Sequence, residues 1–232
     1  MASLGHVVGG LVLDVGSGGS GYRQFFARDT TTITVDVSFY GTPTVIGSAL
    51  ELPFRSASFD SVISTQALEH ISNPFRAIGE MSRVLKPSGH MLITAPQTWP
   101  EHMAPHDYFR FTRFGLEEVM RESGLGIEEF RACGGFFATI GQMMAQRTYQ
   151  VATTYRRHLV RRFLRRGVIP LINRIALRLD KRSRANDDTV INWIVVARKL
   201  NVGSQAEQSQ PLFARAPTAP GAWGRRREGC DS

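Results

Sequence analysis

The stretch Leu11-Val-Leu-Asp-Val-Gly-Ser-Gly-Gly-Ser-Gly21 narrows the folds open to this chain more than any other. A short apolar run that ends in a cluster of glycines reads as a buried strand entering a turn. Gly16, Gly18 and Gly21 fit the G-x-G-x-x-G spacing of a dinucleotide-binding turn, where a helix N-terminus follows and holds a pyrophosphate. Asp14 argues against that ligand. A carboxylate two residues before the first glycine would face the phosphates, and at ~4 Å two unit charges interact by roughly 4 kcal/mol at an effective dielectric of 20.

S-adenosylmethionine suits the same turn better, because it has no phosphate and carries an ammonium and a sulfonium that an acid at the strand tip attracts. The glycines then serve close backbone approach rather than anion capture. Asp36, in ITVDVS, follows the next strand, 20 residues after Gly16. A carboxylate there accepts from a pair of ribose hydroxyls in either kind of cofactor, so Asp36 indicates adenosine without choosing between them.

The rest of the chain supplies the sheet that such a turn requires. Short β-rich apolar runs are expected as strands near 11–15, 31–36, 44–47, 60–64, 90–95, 127–132 and 189–197, with helices near 21–28, 74–85 and 114–123. Asn73-Pro74 is a helix start and Lys86-Pro87-Ser88-Gly89 a stop. This alternation predicts an α/β fold with a mostly parallel, Rossmann-like sheet. Residues 134–188 read as a helical insertion before the last strand, so that 1–200 form one domain, and 201–232, rich in Gly, Pro, Ser, Gln and Ala, read as a disordered tail.

Composition enters where it limits partners. Of the net charge of +8, eleven Lys and Arg against Asp180 between Arg156 and Arg184 contribute +10, leaving −2 for everything else. Any anionic partner should therefore be sought by that segment. Cys133 and Cys230 are the only cysteines and have no C-x-x-C or neighbouring His cluster, so neither a disulfide framework nor a metal site is expected, and a reducing, cytoplasmic setting is. No run approaches the ~20 apolar residues that span a bilayer, and the first ten residues lack the basic start of a secretion signal.

Downstream of the glycine turn the chain reads LELPFRSASFDSVISTQALEHISNPFRAIGEMSRVLKPSGHMLITAP. With Asp14-x-Gly16-x-Gly18, Asp36, Leu52-Pro53-Phe54, Ser58-Phe59-Asp60, Leu68-Glu69-His70 and Arg83-Val84-Leu85-Lys86-Pro87 in this order, residues 11–96 resemble the class I S-adenosylmethionine-dependent methyltransferases, specifically the small type 11 group that includes quinone methylases. The resemblance implies a seven-stranded sheet of order 3-2-1-4-5-7-6 with the last strand antiparallel. It places Asp14, Gly16, Ser17 and Gly18 at the methionine end of the cofactor, and Asp36 and Val37 at the ribose and adenine. Ala49 and Leu50 then lie beside the adenine, with Thr65 and Gln66 beneath the cofactor. Three departures stand out. Ser20 occupies the family's third glycine, Ser48 stands where relatives often carry an Asp for the adenine amine, and only ten residues precede the first strand, so the covering N-terminal helix of the family is missing.

Ligands of open α/β sheets sit at the carboxyl ends of strands, which makes the loop Gln97–Thr112 the expected lining for a methyl acceptor. His106 and Asp107 are the candidate bases, with His102 behind them; the alternative is that DYFRFT is packing and a local cap for the next helix. His70 reads either as a turn residue or as catalytic. The expected function is methyl transfer to a small-molecule or lipid-linked acceptor. RNA methylation is the alternative raised by the arginines, although STQALEH replaces the Asn/Asp-Pro-Pro-aromatic motif of amino-methylating nucleic-acid enzymes and nucleic acid is not the expected partner; a non-enzymatic interaction protein is another. Taken as a helix, the segment from Tyr155 puts Tyr155, Leu159, Val160, Phe163 and Leu164 on one half and Arg157, Arg161, Arg162 and Arg165 on the other, with Arg156 misplaced, Arg166 near the boundary, and Pro170 breaking it or starting a turn. Residues 155–184 are thus either a lid over an acceptor pocket or a peripheral contact with an anionic membrane.

Overall fold

The computed structural model describes residues 7–19, 30–155, 158–183 and 188–201. The helix expected at 21–28, Ser20, and the tail beyond Asn201 lie outside the described residues.

Seven strands form one sheet: β1 (Leu11–Val15), β2 (Thr31–Asp36), β3 (Val45–Ile46), β4 (Phe59–Thr65), β5 (Leu85–Pro96), β6 (Leu125–Cys133) and β7 (Asn192–Lys199), in the spatial order β3-β2-β1-β4-β5-β7-β6. The predicted order is the observed one. β1 pairs in parallel with β2 (Leu13↔Ile33) and β4 (Leu13↔Val62), and β4 in parallel with β5 (Ile63↔Leu92). Both faces of these central strands are covered, which is why Val12, Leu13, Val62, Ile63 and Ile93 form an unbroken apolar centre rather than an alternating pattern.

β7 runs the other way. At its start Ile191 donates its N–H to the Cys133 carbonyl at the end of β6, and its carbonyl accepts from Gln97 N–H beyond the end of β5; at its far end Leu200 N–H reaches Gly124 before β6 begins. The strand was expected at 189–197 and lies two to three residues later. Val190 N–H is instead taken by the Gln97 side chain at 2.9 Å, which withdraws that residue from the ladder.

Helix α1 (Pro74–Val84) begins as its sequence dictates, with the Asn73 side chain accepting from Arg76 N–H at 3.0 Å and proline in the first turn. Ala77, Ile78, Met81 and Val84 recur at helical spacing and are fully buried. The expected strand at 90–95 proves longer, because Leu85 turns extended straight after the helix and pairs with Phe59 before a register irregularity. Lys199, at the end of β7, donates to the carbonyls of Ser82 (2.6 Å) and Leu85 (2.7 Å) and so satisfies the helix end from a distant strand. Helix α2 (Arg113–Glu122) is capped by the Thr112 hydroxyl, which accepts from Gly115 N–H at 3.1 Å.

The chain divides into two compact units, one of residues 1–95, 103–131 and 193–232, the other of 96–102 and 132–192. In the second, α3 (Phe136–Thr154) lies against α5 (Ile169–Arg182), with α4 (His158–Phe163) and a π-helical turn (Leu164–Val168) between them in sequence. Contact is close because it is made through small residues: a Cβ on Gly141 would stand 2.3 Å from that of Ala176. Asp180 caps α3, accepting from Gly135 N–H at 2.9 Å and Ala138 N–H at 3.3 Å. Pro170 neither breaks the helix nor starts a turn. The π turn widens the backbone just before it, which accommodates a residue that has no N–H to donate and whose ring would press on the preceding turn.

Cys133 is disulfide-bonded, which corrects the expectation of no disulfide. Among the described residues no helix is long and apolar enough to cross a membrane.

Candidate cofactor and acceptor site

The carboxyl ends of β1, β2 and β4 meet where the motifs predicted a site. Asp14 is buried in the last part of β1, level with Thr34 of β2 and Ile63 of β4. The chain then turns through Gly16 at φ +70°, whose N–H donates to the Val35 carbonyl at 2.9 Å. A Cβ at Gly16 would come within 2.5 Å of Ala67 Cβ, so glycine is required there twice over. Gly18 is also left-handed at φ +57°, and a Cβ there would meet nothing within 4 Å among the described residues. The turn therefore presents bare backbone to whatever occupies that space.

Asp36 ends β2 with both carboxylate oxygens already oriented. Oδ2 accepts from Gly18 N–H at 3.1 Å and Oδ1 from Ser38 N–H at 2.9 Å, leaving lone pairs on each oxygen for further donors. This ties the tip of β2 to the glycine turn of β1. Gly41 was not singled out by the sequence, yet a Cβ there would lie 2.0 Å from the Gly18 carbonyl oxygen, so the 37–42 loop rests directly on the turn. Val37 is exposed in that loop. Neither 11–19 nor 30–42 contains a Lys, Arg or His.

Ala49 and Leu50 follow β3 in a short turn. Ser48 is committed locally, its Oγ accepting from Leu50 N–H at 3.1 Å, while the Leu50 carbonyl accepts from Arg76 Nε at 2.7 Å. Leu52-Pro53-Phe54 is held from α1: Arg83 donates to the Leu52 carbonyl (3.0 Å) and the Phe54 carbonyl (2.8 Å), and Glu80 accepts from Leu52 N–H at 2.8 Å. The Arg83 guanidinium holds the Glu80 carboxyl below its ordinary range. Glu80 is the member of this clamp that motif reading missed.

Thr65 is buried at the tip of β4, and Gln66 beyond it adopts φ +50°, a costly conformation for a side-chain-bearing residue. Both the Gln66 backbone N–H and its Nε2 donate to Thr94 Oγ1, at 3.1 and 3.0 Å, so β5 holds the strained turn. The Leu68–His70 turn follows. Glu69 offers its carbonyl to Tyr108 N–H at 2.8 Å, and His70 Nδ1 donates to the His106 carbonyl at 2.6 Å. His70 is thus a strut between this turn and the 103–110 loop.

That loop separates the two candidate bases. Asp107 is buried, and both its oxygens are engaged by the Arg110 guanidinium at 2.7 Å each. His106 is exposed, its Nδ1 3.0 Å from the Tyr108 hydroxyl. His102 belongs to the second unit, where its Nδ1 lies 3.2 Å from the Pro100 carbonyl oxygen.

A glycine turn that carries no cation among its described residues, framed by Asp14 and Asp36 on a 3-2-1-4-5-7-6 sheet, matches the fold of the class I S-adenosylmethionine-dependent methyltransferases. S-adenosylmethionine fits this donor set: the acids match its positive groups and hydroxyls, and the bare backbone at Gly18 leaves it room. Residues 13–93 match the family model described as Methyltransferase domain. That match spans 81 of the 232 residues, about a third of the chain.

Relatives divide over what they methylate. The chain is 37% identical over 70 residues to the ubiquinone/menaquinone biosynthesis C-methyltransferase UbiE of Bordetella parapertussis, covering 30% of this chain and 27% of that one. It is 33% identical over 95 residues to the Bos taurus protein named Probable tRNA methyltransferase 9B, covering 37% and 21%. The chain thus spans less than a third of either relative. Phosphoethanolamine N-methyltransferase 2 of Haemonchus contortus, solved with S-adenosyl-L-methionine, superposes with a TM-score of 0.54 at 20% identity over 84% of this chain and 49% of that one, a likeness of fold.

Proposed function

We propose that the protein transfers a methyl group from S-adenosylmethionine to a small-molecule or lipid-linked acceptor. The observation that carries the reading is Asp36, fixed through both oxygens by Gly18 and Ser38 beside a turn that carries no cation among its described residues. In this reading Asp14, Gly16, Ser17 and Gly18 hold the methionine end, Asp36 and Val37 the ribose and adenine, Ala49 and Leu50 flank the adenine, and Thr65 and Gln66 lie beneath. Bound S-adenosylmethionine supplies a methyl carbon already activated by a sulfonium, so the protein's share of the work is alignment and the exclusion of water.

Where the acceptor must lose a proton, His106 is the candidate its own loop presents, exposed and steadied by Tyr108. Asp107, committed to Arg110, positions that loop. The same third or so of the chain resembles quinone and tRNA methyltransferases alike, so acceptor class follows from the remainder. There the exposed apolar side chains among the arginines of 155–184 favour peripheral contact with an anionic membrane, and a membrane-dissolved acceptor, over RNA.

The test incubates the protein with methyl-labelled S-adenosylmethionine and three separate pools: a lipid extract containing quinones, a water-soluble metabolite extract, and total tRNA. Label in either of the first two is expected. Label confined to tRNA would overturn the acceptor assignment, and no calorimetric heat with S-adenosylmethionine would overturn the whole reading.

A further inference from the structure

The helices of the second unit carry a charge arrangement that their own fold leaves uncompensated. Asp180 is the single acid between Phe136 and Arg182, and it is occupied at the start of α3, accepting from Gly135 and Ala138 N–H. Along α4 and the π turn, His158, Arg161, Arg162, Arg165 and Arg166 line one cavity of about 350 Å³. His158, Arg161 and Arg162 share one face of α4 at i, i+3 and i+4, and the π turn brings Arg165 and Arg166 to the same cavity. At ~30 Å³ per water molecule the space holds an anionic group with part of its hydration. Arg165 lies over the Tyr149 ring at 5.1 Å, which holds one wall in place against α3.

Beside this basic face stands an apolar one. Leu159 is 79% exposed and Phe163 67%, one helical turn apart and each adjacent in sequence to a cavity-lining residue, and α4 contains no buried residue. Of the two expectations for this segment, lid or membrane contact, the exposure of Leu159 and Phe163 accords with the second. The α3–α5 contact closes where Gly141 meets Ala176, while Leu159 and Phe163 on α4 stay exposed. Cations flanked by protruding aliphatic and aromatic groups match a surface with phosphate at one depth and hydrocarbon just below it.

We infer that the cavity lined by His158, Arg161, Arg162, Arg165 and Arg166 is a phosphate-headgroup site for an anionic lipid, with Leu159 and Phe163 entering the acyl layer beside it. This deepens the membrane-proximal reading of the acceptor and rests on it, while its test is independent of catalysis. An RNA phosphate would satisfy the arginines equally but gives the exposed Leu159 nothing to bury against.

The experiment is co-sedimentation of the full chain, without cofactor, with vesicles of phosphatidylcholine alone or containing phosphatidic acid, at fixed ionic strength. Wild type is expected to partition to the anionic vesicles only. Replacing Arg161, Arg162, Arg165 and Arg166 by Ala should weaken that partitioning about 10²- to 10³-fold, given the attraction each basic side chain contributes near an anionic leaflet. L159S/F163S, altered only at exposed positions, should weaken vesicle binding and leave binding to tRNA unchanged. Circular dichroism and calorimetric titration with S-adenosylmethionine report folding and the cofactor site separately, so loss of vesicle binding with intact cofactor heat is read at this site alone. Equal partitioning to both vesicle types, no effect of either variant in folded protein, or saturation of the arginines by tRNA in preference to vesicles would overturn the inference.

Discussion

Replacing Asp36 by alanine removes an acceptor that two backbone N–H groups share and to which the proposed function assigns the ribose diol. The backbone donors, Gly18 and Ser38, lie in an exposed turn where water replaces the lost partner. The net stability cost should then be near that of an ordinary hydrogen bond, about 1 kcal/mol, or a melting shift of about 2–4 °C in a protein of this size. The cofactor contact is charge-assisted and worth about 1.5–3 kcal/mol, which at 1.4 kcal/mol per decade is about 10- to 150-fold in affinity. Asp36→Asn should lie between, because its amide nitrogen turns a donor toward one of the two backbone donors while its oxygen still accepts from the other. Isothermal titration with S-adenosylmethionine and with its demethylated product, S-adenosylhomocysteine, reads both affinities. The two ligands share a ribose, so the losses should be equal. A change under about threefold with both ligands in folded Asp36→Ala protein would refute the ribose role, and a loss confined to S-adenosylmethionine would move Asp36 to the sulfonium.

Two other outcomes test the structural reasoning. Gly141→Ala brings two methyl carbons to 2.3 Å at the α3–α5 contact, so it should destabilise by about 1–3 kcal/mol, and adding Ala176→Gly should recover most of the loss; denaturation of Gly141→Ala at the wild-type midpoint would show that the helices do not meet there. On acidification, Asp60, Glu80 and Glu118 are held below their ordinary values of 3.8, 4.5 and 4.5 by hydrogen bonds from Lys86, Arg83 and Arg121, whereas burial raises Glu117. The three lowered groups contribute stability that is present above those ordinary values and lost as pH falls through their depressed ones, while Glu117 shifts the balance the opposite way, above 4.5. Melting temperature should therefore decline from about pH 4.5 downward, and one that rises toward pH 3 would contradict the ion-pair geometry.

The strands themselves, the glycine turn and the acids at its ends were legible in the linear sequence because each depends on local chemistry: buried parallel strands need continuous apolar runs, and a left-handed turn needs glycine; the order of the strands was an implication of the family resemblance alone. Asp14, Gly16 and Asp36 carry that information in their own residue type and position. The Asn73 cap and Pro74 likewise announce α1 without help from elsewhere.

What the tertiary structure alone decided concerns groups whose partners are remote in sequence. Nothing near Asp180 foretells that it caps a helix starting 44 residues earlier, and nothing near Lys199 foretells its hold on the end of α1. Asp107 and His106 are neighbours in sequence and looked equivalent as bases, until folding tied one to Arg110 and left the other exposed. The periodicity of α4 showed two faces but not which of them would be buried, and folding left Leu159 and Phe163 outside while α3 and α5 closed at Gly141 and Ala176. A residue's type sets what it can bond to or exclude, whereas which groups come within a few ångströms of it is settled only when distant segments pack.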